Sequence, residues 1–232
     1  MSFEILAYES TSLGVLCLRR RELLSRPGTV VTEVTLDHEF LMSSYLTESE
    51  RALATIGVEL ALENGKGRKL DVLVGGLGLG YTAAAALHSD DVGSVEVVEF
   101  LPQVIGWMNK GLVPLSEKLN AEPRLSISHG DIYARLAGSA NQLFDLIAID
   151  VDHSPEDVLG GQSEGFYSVA GLKAASQHLT PGGVLGVWSY AESTPLLENM
   201  KAVFAHVRVE HVTALNDLID QEQTDWLFFG RQ

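Results

Sequence analysis

The stretch LDVLVGGLGLGY, residues 70–81, constrains the fold more than any other part of the chain. Its apolar first half has the composition of a strand buried on both faces, as in a parallel sheet. Glycines at 75, 76, 78 and 80 then allow the backbone to turn sharply and to come close to a ligand. The next residues, TAAAAL at 82–87, are good helix formers. Strand, glycine turn and helix form one unit, and the turn is the expected ligand site.

The same alternation continues downstream. Strands are predicted at 94–100 (SVEVVEF), 125–128, 144–150 (FDLIAID) and in VLGVWS after the turn at 180–183. Helices are predicted near 103–108, over 163–179 and at 195–204. Such alternation implies right-handed βαβ units, so the expected fold class is α/β, a doubly wound, Rossmann-like, mostly parallel sheet. Two final strands, at 207–213 and 226–230, flank a polar loop at 216–224 and predict an antiparallel hairpin at one edge.

Residues 1–48 have a different texture. FEILAYES, LGVLCLRR and TVVTEVTLDHEF are short and rich in β-branched and aromatic residues, which predicts a small antiparallel β-sheet ahead of the α/β core. Thr47 and Glu50 have capping-box spacing, so a helix should follow over 51–63. The expected division is therefore 1–48 for the N-terminal sheet and 49–232 for the ligand-binding α/β domain.

Charge and cysteine content narrow the function. With 16 Lys and Arg against 31 Asp and Glu, the formal charge is −15, which disfavours nucleic acid as a partner. The one dense basic cluster, Arg19, Arg20 and Arg21, has the pattern of a solvated hairpin end. Cys17 is the only cysteine, so no intramolecular disulfide can form and no cysteine-based metal site is expected. In Asp37, His38 and Glu39 successive strand residues alternate faces, so no metal site is expected there either. MSFEILAYES is not a signal peptide, and no stretch approaches 18 apolar residues. The expected location is cytoplasmic, with no membrane partner.

In doubly wound sheets, ligands bind beyond the carboxyl ends of the strands. Four features fall there: the loop from Gly75 to Gly80, Glu99, Asp131 and Asp150. Glu99 lies 19 residues after Gly80, where an acid can accept hydrogen bonds from ribose hydroxyls. Asp131 also suits the N-cap of a short helix. The loop lacks the last glycine of G-x-G-x-x-G, so the pattern leaves open a dinucleotide or a smaller nucleoside ligand.

Taken together, GGLGLG, the acid of VVEF, HGD, FDLIAID and LTPGG resemble the class I S-adenosylmethionine-dependent methyltransferase fold. Within it the chain is most similar to the spermidine synthase (polyamine aminopropyltransferase) family, which also places a β-sheet before the α/β core. The resemblance implies that Gly75, Gly76, Gly78 and Gly80 pass beside an S-adenosyl cofactor. It further implies that Glu99 holds the ribose, Asp131 and Ile132 meet the adenine, and Asp150 faces the reacting centre. Asp150, Asp152 and Tyr167 are the implied catalytic residues.

The chain departs from the family where the donor arm and acceptor bind. Gly78 stands where the family's glycine loop carries an aspartate. The family's D-S-S-D-P is DVDHSP here, so its second acid is shifted to Asp152 or replaced by His153. On these grounds the sequence favours a methyltransferase, moving methyl from S-adenosylmethionine to a small, cationic amine or hydroxyl acceptor. The alternatives are aminopropyl transfer from decarboxylated S-adenosylmethionine to a polyamine, and a non-catalytic binding module. Exposed edges of the N-terminal sheet predict a homodimer.

Overall fold

The computed structural model describes residues 3–63, 67–151, 153–157, 165–216 and 220–232. The chain opens with a four-stranded antiparallel meander: β1 (Phe3–Thr11), β2 (Gly14–Glu22), β3 (Val30–Leu36) and β4 (Glu39–Ser43). The segment TVVTEVTLDHEF, expected as one strand, is two. Asp37 and His38 both take positive φ, 47° and 72°, and turn the chain back on itself. Leu16, Leu18 and Val34, all fully buried, join one face of this sheet to the main core. Glu9 accepts a hydrogen bond from Trp107 Nε1 at 2.8 Å, and Arg20 donates to the carbonyl of Leu112 at 2.9 Å. Arg19 and Arg21 are not free in solvent but share the buried carboxylate of Glu33.

The second layer system begins with α1 (Glu48–Leu62) and β5 (Leu70–Gly75), followed by α2 (Tyr81–Ala86), β6 (Val92–Glu99) and α3 (Pro102–Asn109). After α4 (Ser116–Asn120) come β7 (Leu125–His129), α5 (Ile132–Ala137) and β8 (Phe144–Ile149). The chain finishes with α6 (Val169–Ser176), β9 (Leu179–Ser189), α7 (Thr194–Lys201), β10 (His206–Asn216) and β11 (Gln221–Arg231). The expected helix over 163–179 is shorter in the described residues because Ser168 caps it, accepting from Gly171 N at 3.2 Å. Residues 163 and 164 of that expectation lie outside the described residues. The last two strands are longer than expected, and they pair with each other along all 11 residues.

These strands form one seven-stranded sheet in the order β10-β11-β9-β8-β5-β6-β7. Strands β5 to β9 are parallel, and β11 joins β9 antiparallel. Their apolar runs follow from burial on both faces: all six residues of β8 are buried. From β5 the chain first moves to β6 and β7, then crosses back to β8 and β9. The loops after β5 and β8 therefore diverge, and the space between them is the topological switch point. No helix among the described residues is long and apolar enough to cross a membrane.

Candidate functional site

A cavity of about 1010 Å³ opens at this switch point. Its floor is the loop after β5, through Gly76, Leu77, Gly78 and Leu79. Gly76 has φ +92°, and a Cβ there would sit 2.2 Å from the carbonyl oxygen of Asp150, so only glycine fits between the ends of β5 and β8. Gly78 has φ +51°, but a Cβ would meet only Met42 Sδ at 3.5 Å, an ordinary contact. Gly75 and Gly80 do not line the cavity. Gly75 lies at the end of β5 against Ile132 and Ile149, and Gly80 lies at the start of α2 against Leu119 and Met108. Those two glycines serve packing.

One end of the cavity is formed by Glu99, Leu101, Val104, Asp131, Ile132 and Tyr133. Glu99, 7% exposed, accepts from Leu77 N at 2.8 Å and from Leu101 N at 2.7 Å. Burial pushes its carboxyl above the usual range, opposed by these backbone N–H groups. Asp131 does cap α5, since its Oδ1 accepts from Tyr133 N at 2.8 Å and Ala134 N at 3.2 Å, and it lines the cavity as well. Two carboxylates beside apolar walls suit a nucleoside, whose ribose and base carry donors.

The other end is acidic. Asp150 follows β8, and its Oδ2 accepts from Thr82 Oγ1 at 2.5 Å. Burial raises its pKa to about 6; the Thr82 hydroxyl opposes that rise and the charge of Asp225 adds to it. Glu50, in the first turn of α1, also lines the cavity. The expected capping box does not form: Thr47 makes no side-chain cap, and Glu50 Oε2 accepts instead from Ser49 Oγ at 3.2 Å. Burial, reinforced by the charge of Asp150, pushes Glu50 up to about 8. Asp225, on β11, is raised too, by burial first, with the Ser49 hydroxyl opposing and Glu48 adding. Desolvated carboxylates that raise one another's pKa form a strong site for an organic cation.

The sequence did not mark Glu50 and Asp225 for the site. Glu50 carried a capping signature that also describes an ordinary helix start, and Asp225 belongs to a polar run whose register only the sheet defines. Tyr167 does not line the cavity; its hydroxyl lies 3.0 Å from that of Tyr133, which does. Asp152 lies outside the described residues. His153 is a lining residue, with Nδ1 3.7 Å from Asp157 Oδ2 and its ring edge-on to Tyr190.

No family model matches the chain. Over 118 residues it is 30% identical to a polyamine aminopropyltransferase from Prochlorococcus marinus (strain MIT 9313), a match spanning 51% of this chain and 40% of that protein. The structure resembles a spermidine synthase solved in complex with the transition-state analogue AdoDATO, with TM-score 0.76 and 17% identity. That match covers 98% of this chain and 73% of the other. Spermidine synthase from Thermotoga maritima gives TM-score 0.71 at 15% identity, covering 98% and 72%.

The fold is that of the class I methyltransferase-like proteins, a switch-point cavity over a mostly parallel sheet. Its form, with a small antiparallel sheet placed first, is that of the spermidine synthases. The expectation of a methyltransferase is corrected: the curated relative is a polyamine aminopropyltransferase and these structural neighbours are spermidine synthases. That expectation rested on Gly78. Its left-handed backbone is a conformation that favours glycine whatever the donor, so the residue has a geometric reason to be there.

Proposed function

We propose that the chain is an aminopropyltransferase, moving the aminopropyl group of decarboxylated S-adenosylmethionine to a polyamine acceptor. The observation that carries this reading is the acidic end of the cavity, where Glu50, Asp150 and Asp225 face one space in a spermidine synthase fold. A donor and an acceptor that are both cationic find their counter-charge there. The curated relative supports the same transfer.

In this reading Glu99 accepts from the ribose hydroxyls, while Asp131 and Ile132 contact the adenine. The donor supplies a methylene carbon activated by its sulfonium, which leaves as a neutral thioether. Asp150 accepts the proton that the acceptor ammonium must lose before its nitrogen lone pair can attack that carbon. Alignment of the two partners and exclusion of water supply the rest, on the order of 7–11 kcal/mol of the barrier. The N-terminal sheet, with Phe3 and Ile5 exposed on its first strand, is the proposed homodimer contact.

The test is formation of 5′-methylthioadenosine from decarboxylated S-adenosylmethionine and 1,4-diaminobutane, with S-adenosylmethionine in parallel. Turnover is expected with the decarboxylated donor alone. Absence of the thioether with every amine offered refutes the reading.

A further inference from the structure

Helix α2 reads YTAAAA, so beyond Tyr81 its side chains are one hydroxyl and a run of methyl groups. A β-branched threonine is a weaker helix former than alanine, and its hydroxyl commonly returns to the carbonyl one turn back. Thr82 does otherwise. Its side chain is buried, 3% exposed, and Oγ1 donates at 2.5 Å to Oδ2 of Asp150, 68 residues further along the chain. Among the described residues, no other side chain donates to that carboxylate.

The backbone of Asp150 is held at the same place. Its N–H donates to the carbonyl of Gly75 at 2.9 Å, and its own carbonyl occupies the space where Gly76 has no Cβ. With the main chain fixed by β5 and Oδ2 fixed by α2, Oδ1 is the oxygen left to a ligand, and Asp150 lines the cavity. The other titratable groups at this end are Glu48 and Glu50 of α1, Tyr81 of α2, His153 after β8 and Asp225 of β11. Glu99 and Asp131 stand at the opposite end. Arg51 of α1 lies over the Tyr81 ring, 4.8 Å from its centroid, and donates to Thr47 Oγ1, while Arg19 and Arg21 of β2 are paired with Glu33. The acids beside Asp150 disfavour a further negative charge; the Thr82 hydroxyl, donating to the charged form, favours it.

We propose that Thr82 is a positioning residue for the proton acceptor: its hydroxyl holds Oδ2 of Asp150, keeps the carboxylate ionised among other acids and aims Oδ1 at the acceptor nitrogen. The inference rests on the aminopropyl-transfer reading and adds a residue to it. Thr82 itself does not line the cavity, so it acts through Asp150. In the step it serves, an ammonium N–H bond breaks and an Oδ1–H bond forms, while Oδ2 keeps its hydrogen bond from Thr82. Without that bond a larger share of Asp150 already carries a proton when the acceptor arrives, and a protonated acid accepts no second one.

The test is the pH dependence of kcat/KM for transfer from decarboxylated S-adenosylmethionine to 1,4-diaminobutane by the full chain. In parallel, carbon-13 NMR follows the titration of the Asp150 carboxyl, its resonance identified with Asp150→Asn. Thr82→Val keeps the shape and removes the hydroxyl. It should move the acidic limb and the carboxyl midpoint together to higher pH by about one unit, the size of one hydrogen bond to a charged group. Thr82→Ala, which suits the alanine run, should move both the same way, and Thr82→Ser should return both toward the wild type. A limb and a midpoint that stay in place in Thr82→Val and Thr82→Ala, with only the plateau lowered, show a packing role and overturn the proposal. A midpoint that rises in a protein without any aminopropyl transfer overturns the activity and leaves the hold of Thr82 on Asp150 standing.

Discussion

Leu77 N donates a hydrogen bond of 2.8 Å to Glu99 Oε2, so the acid at the end of β6 fixes the glycine loop at the end of β5. The second oxygen accepts from Leu101 N at 2.7 Å, at the start of α3. Glu99 is thus a brace between two loops as well as a cavity wall. Removing it leaves two N–H groups without their partner, each worth about 1–3 kcal/mol when buried. Glu99→Ala should therefore lower stability without any ligand, by chemical denaturation, and also weaken donor binding. Glu99→Gln keeps an acceptor oxygen and should be the milder change on both counts.

Asp150 is the proposed proton acceptor, and its buried position holds its pKa near the value a base needs. Activity requires its ionised form, so kcat/KM should rise with pH through about 6. Asp150→Asn should lower kcat by roughly 10²–10⁴-fold and remove that acidic limb. A variant that keeps the limb assigns it to another group.

The α/β sheet was legible because buried parallel strands need continuous apolar runs, as in VLV and FDLIAI, and because glycine and proline punctuate them. The glycine-loop end of the cavity was legible for a related reason. Gly76, Glu99 and Asp131 lie at strand ends, where sequence position and spatial position coincide. The acidic end was not, since Glu50 on α1 and Asp225 on β11 meet only because the sheet brings residue 225 to residue 50. Spacing along the chain carries no trace of that meeting. Tyr167 and Tyr133 show the same limit: Tyr167 was the expected site residue, and Tyr133, whose hydroxyl lies 3.0 Å from that of Tyr167, is the one that lines the cavity.

Glu50 and Asp150 have folded-state pKa values raised from 4.5 to about 8 and from 3.8 to about 6. Between those values the native state holds protons that the unfolded chain has released. Their contribution to stability is therefore present in acid and is lost as pH rises through the folded values. The loss is at most about 1.4 kcal/mol per pH unit for each group within its window. Glu50→Gln should flatten the decline of the thermal midpoint between pH 5 and pH 8 relative to the wild type. Equal slopes in the two proteins would show that Glu50 does not carry that proton.

The two loop glycines should respond in opposite ways to substitution. At Gly76 a Cβ would lie 2.2 Å from backbone, and φ is +92°, so Gly76→Ala must push β5 and β8 apart at their ends. The expected cost is roughly 3 kcal/mol or more, with loss of donor binding. At Gly78 the space is open and aspartate tolerates the left-handed region, so Gly78→Asp should fold at a cost of about 1 kcal/mol. The added carboxylate, on a residue that lines the cavity, would stand close to the donor's amino end. It should favour the decarboxylated donor, which lacks a competing anion, over S-adenosylmethionine. The ratio of their dissociation constants is expected to move several-fold toward the decarboxylated form, measured by calorimetry on both proteins. An unchanged ratio would place position 78 away from the donor's arm and leave its glycine to loop geometry alone.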